Sequence, residues 1–152
     1  MDIILEAFTY CRKYKGLRIW AYVIMSNHIH CIWSAPEENL SNIIRDFKRY
    51  TAVQILAQMQ SNQESRRQWM LKRFEFAARS NLRSSHFQFW THDNHPEILL
   101  TPKFTAQKLD YIHLNPVRAG LVENSYDWLY SSARNYMNMY PLIEIDLMDI
   151  NI

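Results

Sequence analysis

Two apolar runs stand almost end to end in this chain. Leu17 to Met25 and His28 to Ser34 carry the β-branched and aromatic residues typical of strands, and only Ser26-Asn27 separates them. Two such residues suit a short hairpin turn. Because successive side chains of a strand alternate between faces, His28 and His30 then project side by side and Ile29 turns away. Imidazoles about 7 Å apart along a strand can converge on one divalent metal. Two half-buried histidines that only make hydrogen bonds would look the same, and the His-Ile-His motif alone does not separate the readings. Cys31 falls on the Ile29 face and reads as a core residue.

A second constellation lies far along the chain, in Lys108-Leu109-Asp110-Tyr111-Ile112-His113-Leu114-Asn115-Pro116-Val117-Arg118-Ala119-Gly120. Lys103 to Asn115 reads as a helix, with its end expected at Pro116. Tyr111 and Asn115, four apart, share one helical face. A phenol beside a carboxamide oxygen offers a nucleophile and a hard-metal ligand. A packing tyrosine followed by a cap residue before proline is the plainer alternative. His113, two residues from Tyr111, points roughly the other way and reads as structural. His95 reads as a turn or core residue; His86 and His92 have no assigned role.

The remaining pattern is helices around the hairpin. Ile3, Ile4, Ala7, Phe8, Cys11 and Tyr14 recur at helical spacing until Gly16, after the cations Arg12, Lys13 and Lys15. Pro36 ends the second strand, and Glu37-Glu38-Asn39 open a helix whose buried stripe is Leu40, Ile43, Ile44, Phe47, Thr51 and Ile55. Residues 60–85 fit either a packed helix or a basic arm. Phe87 to Thr91 and Glu97 to Leu100 are short strand candidates around a turn at Asp93-Asn94-His95-Pro96. Tyr130 to Met139 reads as a last short helix, and residues 141–152 alternate acidic and apolar. This order predicts an α+β fold, an antiparallel sheet packed with helices, as one domain over residues 1–140 with a C-terminal tail.

Charge is unevenly spread. Arg45 to Arg83 carries nine Lys or Arg against Asp46, Glu64 and Glu75, whereas residues 84–152 carry four basic and eight acidic residues. The basic middle suits a nucleic-acid face, with Arg45, Lys48, Arg49, Arg66, Arg67, Lys72 and Arg73 as candidate phosphate contacts. A solvated helix face would carry the same charges. Arg118 could hold a phosphate or form a surface ion pair. Trp20, Tyr22, Trp33 and Trp90 fit the core better than base stacking. With only two Gly, the chain has no Gly-rich phosphate loop, and its two Cys make no disulfide framework or Cys-rich zinc site. Asp2 and Glu6 interrupt the first apolar stretch, so no signal peptide is expected. No run reaches transmembrane length, and the expected location is cytoplasmic.

Tyr22 to His30 resembles the Met-x-Asn-His-x-His motif of HUH single-tyrosine transposases. Tyr111 to Leu121 is similar to their catalytic-tyrosine helix, in the version found in REP-associated tyrosine transposases. Phe89-Trp90, Asn94-His95-Pro96 and Asp127-Trp128-Leu129-Tyr130-Ser131-Ser132 also sit where that group has comparable segments. The resemblance runs from about residue 4 to about residue 136. It implies a ferredoxin-like or RRM-like sheet. Relatives carry a strand before the first helix; this chain starts at that helix, so either the start is truncated or another segment, such as residues 141–152, fills the gap.

The resemblance further implies Tyr111 as nucleophile and His28, His30 and Asn115 as ligands of one divalent metal. Mg²⁺ or Mn²⁺ suits this donor set at a phosphate, Mn²⁺ being the better match to imidazole. A free phenol has a pKa of about 10, so a nucleophilic tyrosine needs a metal or base to lose its proton. The implied product is a 5′-phosphotyrosine with a free 3′-OH, and the implied substrate is single-stranded or hairpin DNA, handled by a monomer or homodimer. A nucleic-acid-binding module without catalysis and a metal-dependent phosphodiesterase using water are the competing functions.

Overall fold

The computed structural model describes residues 1–36, 39–61, 67–79, 87–91 and 94–149. It divides into two compact units, Met1–Ile43 with Glu97–Ile152, and Ile44–Pro96.

The first unit is built on the expected hairpin. β1 (Arg18–Ile24) and β2 (Ile29–Ser34) pair antiparallel, with Val23 opposite His30 and Tyr22 opposite Cys31. The Met25 N–H donates to the His28 carbonyl across Ser26-Asn27 and closes the turn. The register sorts the side chains. Ala21, Val23, Met25 and Ile32 face α4 (Pro102–Arg118), where they pack with Ile112, Leu109 and Trp128. Tyr22 and Trp33 lie on the other face, where both rings meet Phe8 of α1 (Asp2–Lys15) edge-on. From Ala21 to Ile24 β1 is buried throughout. Burial of Val23 and of Ile24 stabilises the fold by about 1.5–3 kcal/mol each, which anchors the strand that presents the histidine turn.

The sheet proper has two strands among the described residues, and later parts of the chain bond to the outer side of β1. Val23 also bridges antiparallel to Ser131, and Ile24 N–H donates to the Tyr130 carbonyl. Further along, Asp146 N–H donates to the Ile19 carbonyl while its carboxylate accepts from Ile19 N–H. The same carboxylate pairs with Arg12 at 3.2 Å, and Arg12 also donates to the Glu144 carbonyl. Asn135 fixes the Ile143 carbonyl. Along this edge β1 is thus met by residues 130–132 and, at Ile19, by Asp146, without a further strand among the described residues.

Both glycines end helices. Gly16 has φ +70 and its N–H bonds back to Cys11 after α1. Gly120 has φ +69 after α4, where Gly120 N–H reaches Val117 and Leu121 N–H reaches Pro116. This corrects the expected helix end at Pro116. The helix runs to Arg118, because a proline near its end removes one hydrogen bond and its buried ring is absorbed by packing. The last helix is also shorter than expected, Ala133–Tyr136 (α5), because residues 130–132 are taken up by the β1 edge.

Leu40–Ser61 (α2) continues from the first unit into the second, whose other helix is α3 (Arg67–Arg79). Residues 67–79 are thus a packed helix. Phe87 to Thr91 is not a strand. Trp90 donates its indole N–H to Thr51 at 2.9 Å and Phe89 packs on Phe74, so its rings are spent against helices with no strand partner. Glu97 to Leu100, in the first unit, is extended coil with Ile98 and Leu100 exposed. His95 is exposed, not a core residue, and has φ +45. Glu37, Glu38, Arg66, His86, His92 and Asp93 lie outside the described residues. No helix among the described residues is long and apolar enough to cross a membrane.

Candidate active site

The hairpin turn and α4 bring His28, His30 and Tyr111 together in the first unit. His28 and His30 project from the same face of the hairpin with ring centroids 4.9 Å apart. Tyr111 meets His30 edge to face at 5.2 Å. On α4 the spacing Lys108, Tyr111, Asn115, Arg118 follows one helical face. The Arg118 guanidinium lies 5.4 Å from the Tyr111 ring centroid. Tyr111 is 41% exposed, enough for a substrate to reach its hydroxyl, and Asn115 is half-buried one turn further on.

A local hydrogen bond orients one imidazole. Nδ1 of His28 lies 2.7 Å from Oδ1 of Asn27. With that oxygen accepting, Nδ1 carries a proton, so Nε2 is the ring nitrogen left to meet a metal. Burial holds the His30 pKa below the usual histidine value, and His28 and Lys108 push it the same way. Neutral imidazole is the ligating form. Among the described residues no group of three or more His, Cys, Asp or Glu gathers. Of the ligands the sequence offers, two imidazoles and the amide oxygen of Asn115 are donor types that would suit Mg²⁺ or Mn²⁺.

The neighbours of this cluster have separate tasks. His113, opposite Tyr111 on α4, is buried and bonds through Nε2 to the Ser132 hydroxyl at 2.9 Å. That hydroxyl also accepts from Tyr22 N–H and donates to the Tyr22 carbonyl. His113 is structural, as its position predicts, and ties the Tyr111 helix to the strand. Burial pushes the Cys31 thiol up, in keeping with a core residue. Lys108 was not singled out in the sequence. Its three-residue spacing from Tyr111 was the available signal, and its ammonium pairs with Glu97 at 2.6 Å.

In the second unit, Arg45 pairs with its neighbour Asp46 at 3.1 Å, and Arg49 is exposed. Lys48 donates to the Thr91 carbonyl and to Asn94 Oδ1, fastening both residues to α2. Lys72 and Arg73 are exposed on α3. Arg67 opens α3, with its side chain outside the described residues.

Residues 2–81 match the family model described as transposase IS200 like. The chain is 23% identical over 146 residues to the REP-associated tyrosine transposase of Escherichia coli K12, covering 93% of this chain and 70% of that one. It is 31% identical over 114 residues to a putative REP-associated tyrosine transposase of Haemophilus influenzae, covering 74% of this chain and 56% of that one. Its fold is similar to a solved REP-associated tyrosine transposase bound to a REP hairpin, with TM-score 0.54, 22% identity, and coverage of 98% of this chain and 76% of that chain. The chain belongs to the IS200-like transposase family, in its REP-associated tyrosine transposase branch.

Proposed function

We propose that this chain cuts and rejoins single-stranded, hairpin-forming DNA through Tyr111, using Mg²⁺ or Mn²⁺ held by His28, His30 and Asn115. The observation that carries the proposal is the contact of His30 with Tyr111 at 5.2 Å, beside a His28 ring 4.9 Å from that of His30. A phenol packed against a metal-competent imidazole pair fits phosphoryl transfer better than simple packing, because the ring is partly exposed and flanked by a guanidinium. The hairpin substrate is supported by the solved relative, which is bound to a REP hairpin.

A bound divalent ion supplies charge neutralisation at phosphate and stabilisation of the leaving oxygen. The chain supplies the rest. Asn27 fixes the His28 tautomer, and burial keeps His30 neutral. Arg118 provides positive charge next to the phenol, suited to a phosphate oxygen. The Tyr111 oxygen forms a bond to phosphorus as the bond to the 3′ oxygen breaks. The phenol gives up its proton and the departing oxygen gains one, leaving a 5′-phosphotyrosine and a free 3′-OH. The linkage conserves bond energy, so attack by a 3′-OH can rejoin strands without a nucleotide cofactor.

The test is incubation with labelled hairpin-bearing single-stranded DNA and Mn²⁺. A covalent protein–DNA adduct on a denaturing gel is expected. Cleavage without adduct would favour attack by water, and binding without cleavage would favour a non-catalytic module.

A further inference from the structure

Trp69, Lys72, Arg73 and Phe76 recur at helical spacing along one face of α3. This face is open to solvent: Trp69 is 58% and Phe76 72% exposed. A solvated helix face carries charges; it does not ordinarily carry a tryptophan and a phenylalanine between them. Across from this stripe run Gln88 to Thr91, and the two sides line a groove of about 450 Å³, within the range of ligand pockets. The Arg73 guanidinium stands 5.1 Å from the Trp69 ring centroid. Among the described residues no carboxylate lines the groove.

We propose that this groove binds an unpaired nucleobase of single-stranded DNA, the base stacking on Trp69 and Phe76 while Lys72 and Arg73 take the adjoining phosphates. Flat apolar faces interleaved with cations fit a stacked base and its backbone together. An apolar peptide would leave the two cations unused, and an acidic peptide would leave the rings unused. The proposal rests on the DNA reading above and adds to it a site in the second unit, remote in sequence from His28, His30 and Tyr111.

The experiment measures binding of the full chain to two labelled ligands by fluorescence anisotropy, a blunt hairpin and the same hairpin with a short single-stranded flank. Stacking predicts that wild type prefers the flanked hairpin by about tenfold or more. The double variant Trp69→Ala/Phe76→Ala should lose that preference and keep its affinity for the blunt hairpin, and Trp69→Tyr should retain most of the preference. If the double variant loses helix content by circular dichroism, Phe76→Ala at the most exposed position takes its place and should lower the preference. An unchanged preference in the variants overturns the site, as does an equal loss on both ligands. Dimerisation of wild type that the variant abolishes, seen by light scattering, would assign the groove to a second copy and overturn it too. Failure of wild type to bind either ligand would overturn the DNA reading itself, a separate result.

Discussion

His30 of β2 and Tyr111 of α4 meet edge to face, their ring centroids 5.2 Å apart. The contact joins the hairpin near the start of the chain to a helix near its end. It brings a candidate nucleophile to a candidate metal ligand, and each residue that orients either one becomes a test of the proposed chemistry.

Asn27 orients His28 through the 2.7 Å contact to Nδ1. Asn27→Ala removes that acceptor and lets the ring change tautomer or rotate. Affinity for Mn²⁺, measured by calorimetry, should drop about 10- to 100-fold. An unchanged affinity would mean that Asn27 has no part in presenting the imidazole.

Ser132 holds α4 to β1 through His113 and Tyr22. Ser132→Ala leaves buried donors without partners, and should destabilise the fold by about 1–3 kcal/mol in urea melts. His113 adds a pH dependence. Burial lowers its pKa from 6.5 to about 4, with Asp110 opposing. Between those values the unfolded chain has taken a proton that the folded chain has not, so unfolding is favoured as pH falls. This stability is fully present above pH 6.5 and declines toward pH 4, by up to about 1.4 kcal/mol per pH unit. In metal-free urea melts across that window His113→Gln should flatten the slope, leaving the smaller part due to His30, whose pKa is lowered too. An identical slope in the variant would contradict the assignment.

Asp146 closes the edge of β1 by accepting from Ile19 N–H while pairing with Arg12. Asp146→Ala should cost about 1–2 kcal/mol by leaving the strand amide unpaired. Hydrogen exchange should speed up at Ile19 and Asp146 and stay slow at Ile24, whose N–H donates to the Tyr130 carbonyl. Unchanged exchange at Ile19 would show that the tail contributes nothing there.

Local signals carried much of this structure. The hairpin, the shared face of His28 and His30 and the helical neighbours of Tyr111 follow from alternation and helical spacing, which depend on few residues. Pro116 misled because its cost falls near the helix end, where Gly120 is the true stop. Phe87 to Thr91 misled because aromatic residues suit strands and helix-packed coil alike, and only the Thr51 hydroxyl on α2 decides for Trp90. The covering of β1 by Ser131 and Asp146 was illegible in detail, since it depends on pairings across more than a hundred residues.

DNA binding should depend steeply on salt, because each phosphate contact made by Arg or Lys releases counterions. A plot of log affinity for hairpin DNA against log salt should be linear with a negative slope, and Arg73→Gln should reduce that slope by about one. A salt-independent affinity would remove the basic residues from the interface.

The most direct measurement is adduct yield on hairpin-bearing single-stranded DNA with Mn²⁺ for wild type and Tyr111→Phe, with mass spectrometry locating the modified peptide. The substitution removes one hydroxyl from a partly exposed ring, so folding and DNA binding should change little. Wild type should form an adduct on the peptide containing Tyr111, and the variant should form none and leave the DNA uncut. An adduct on another tyrosine, or cleavage that persists in Tyr111→Phe, would contradict the assignment of Tyr111 as the nucleophile.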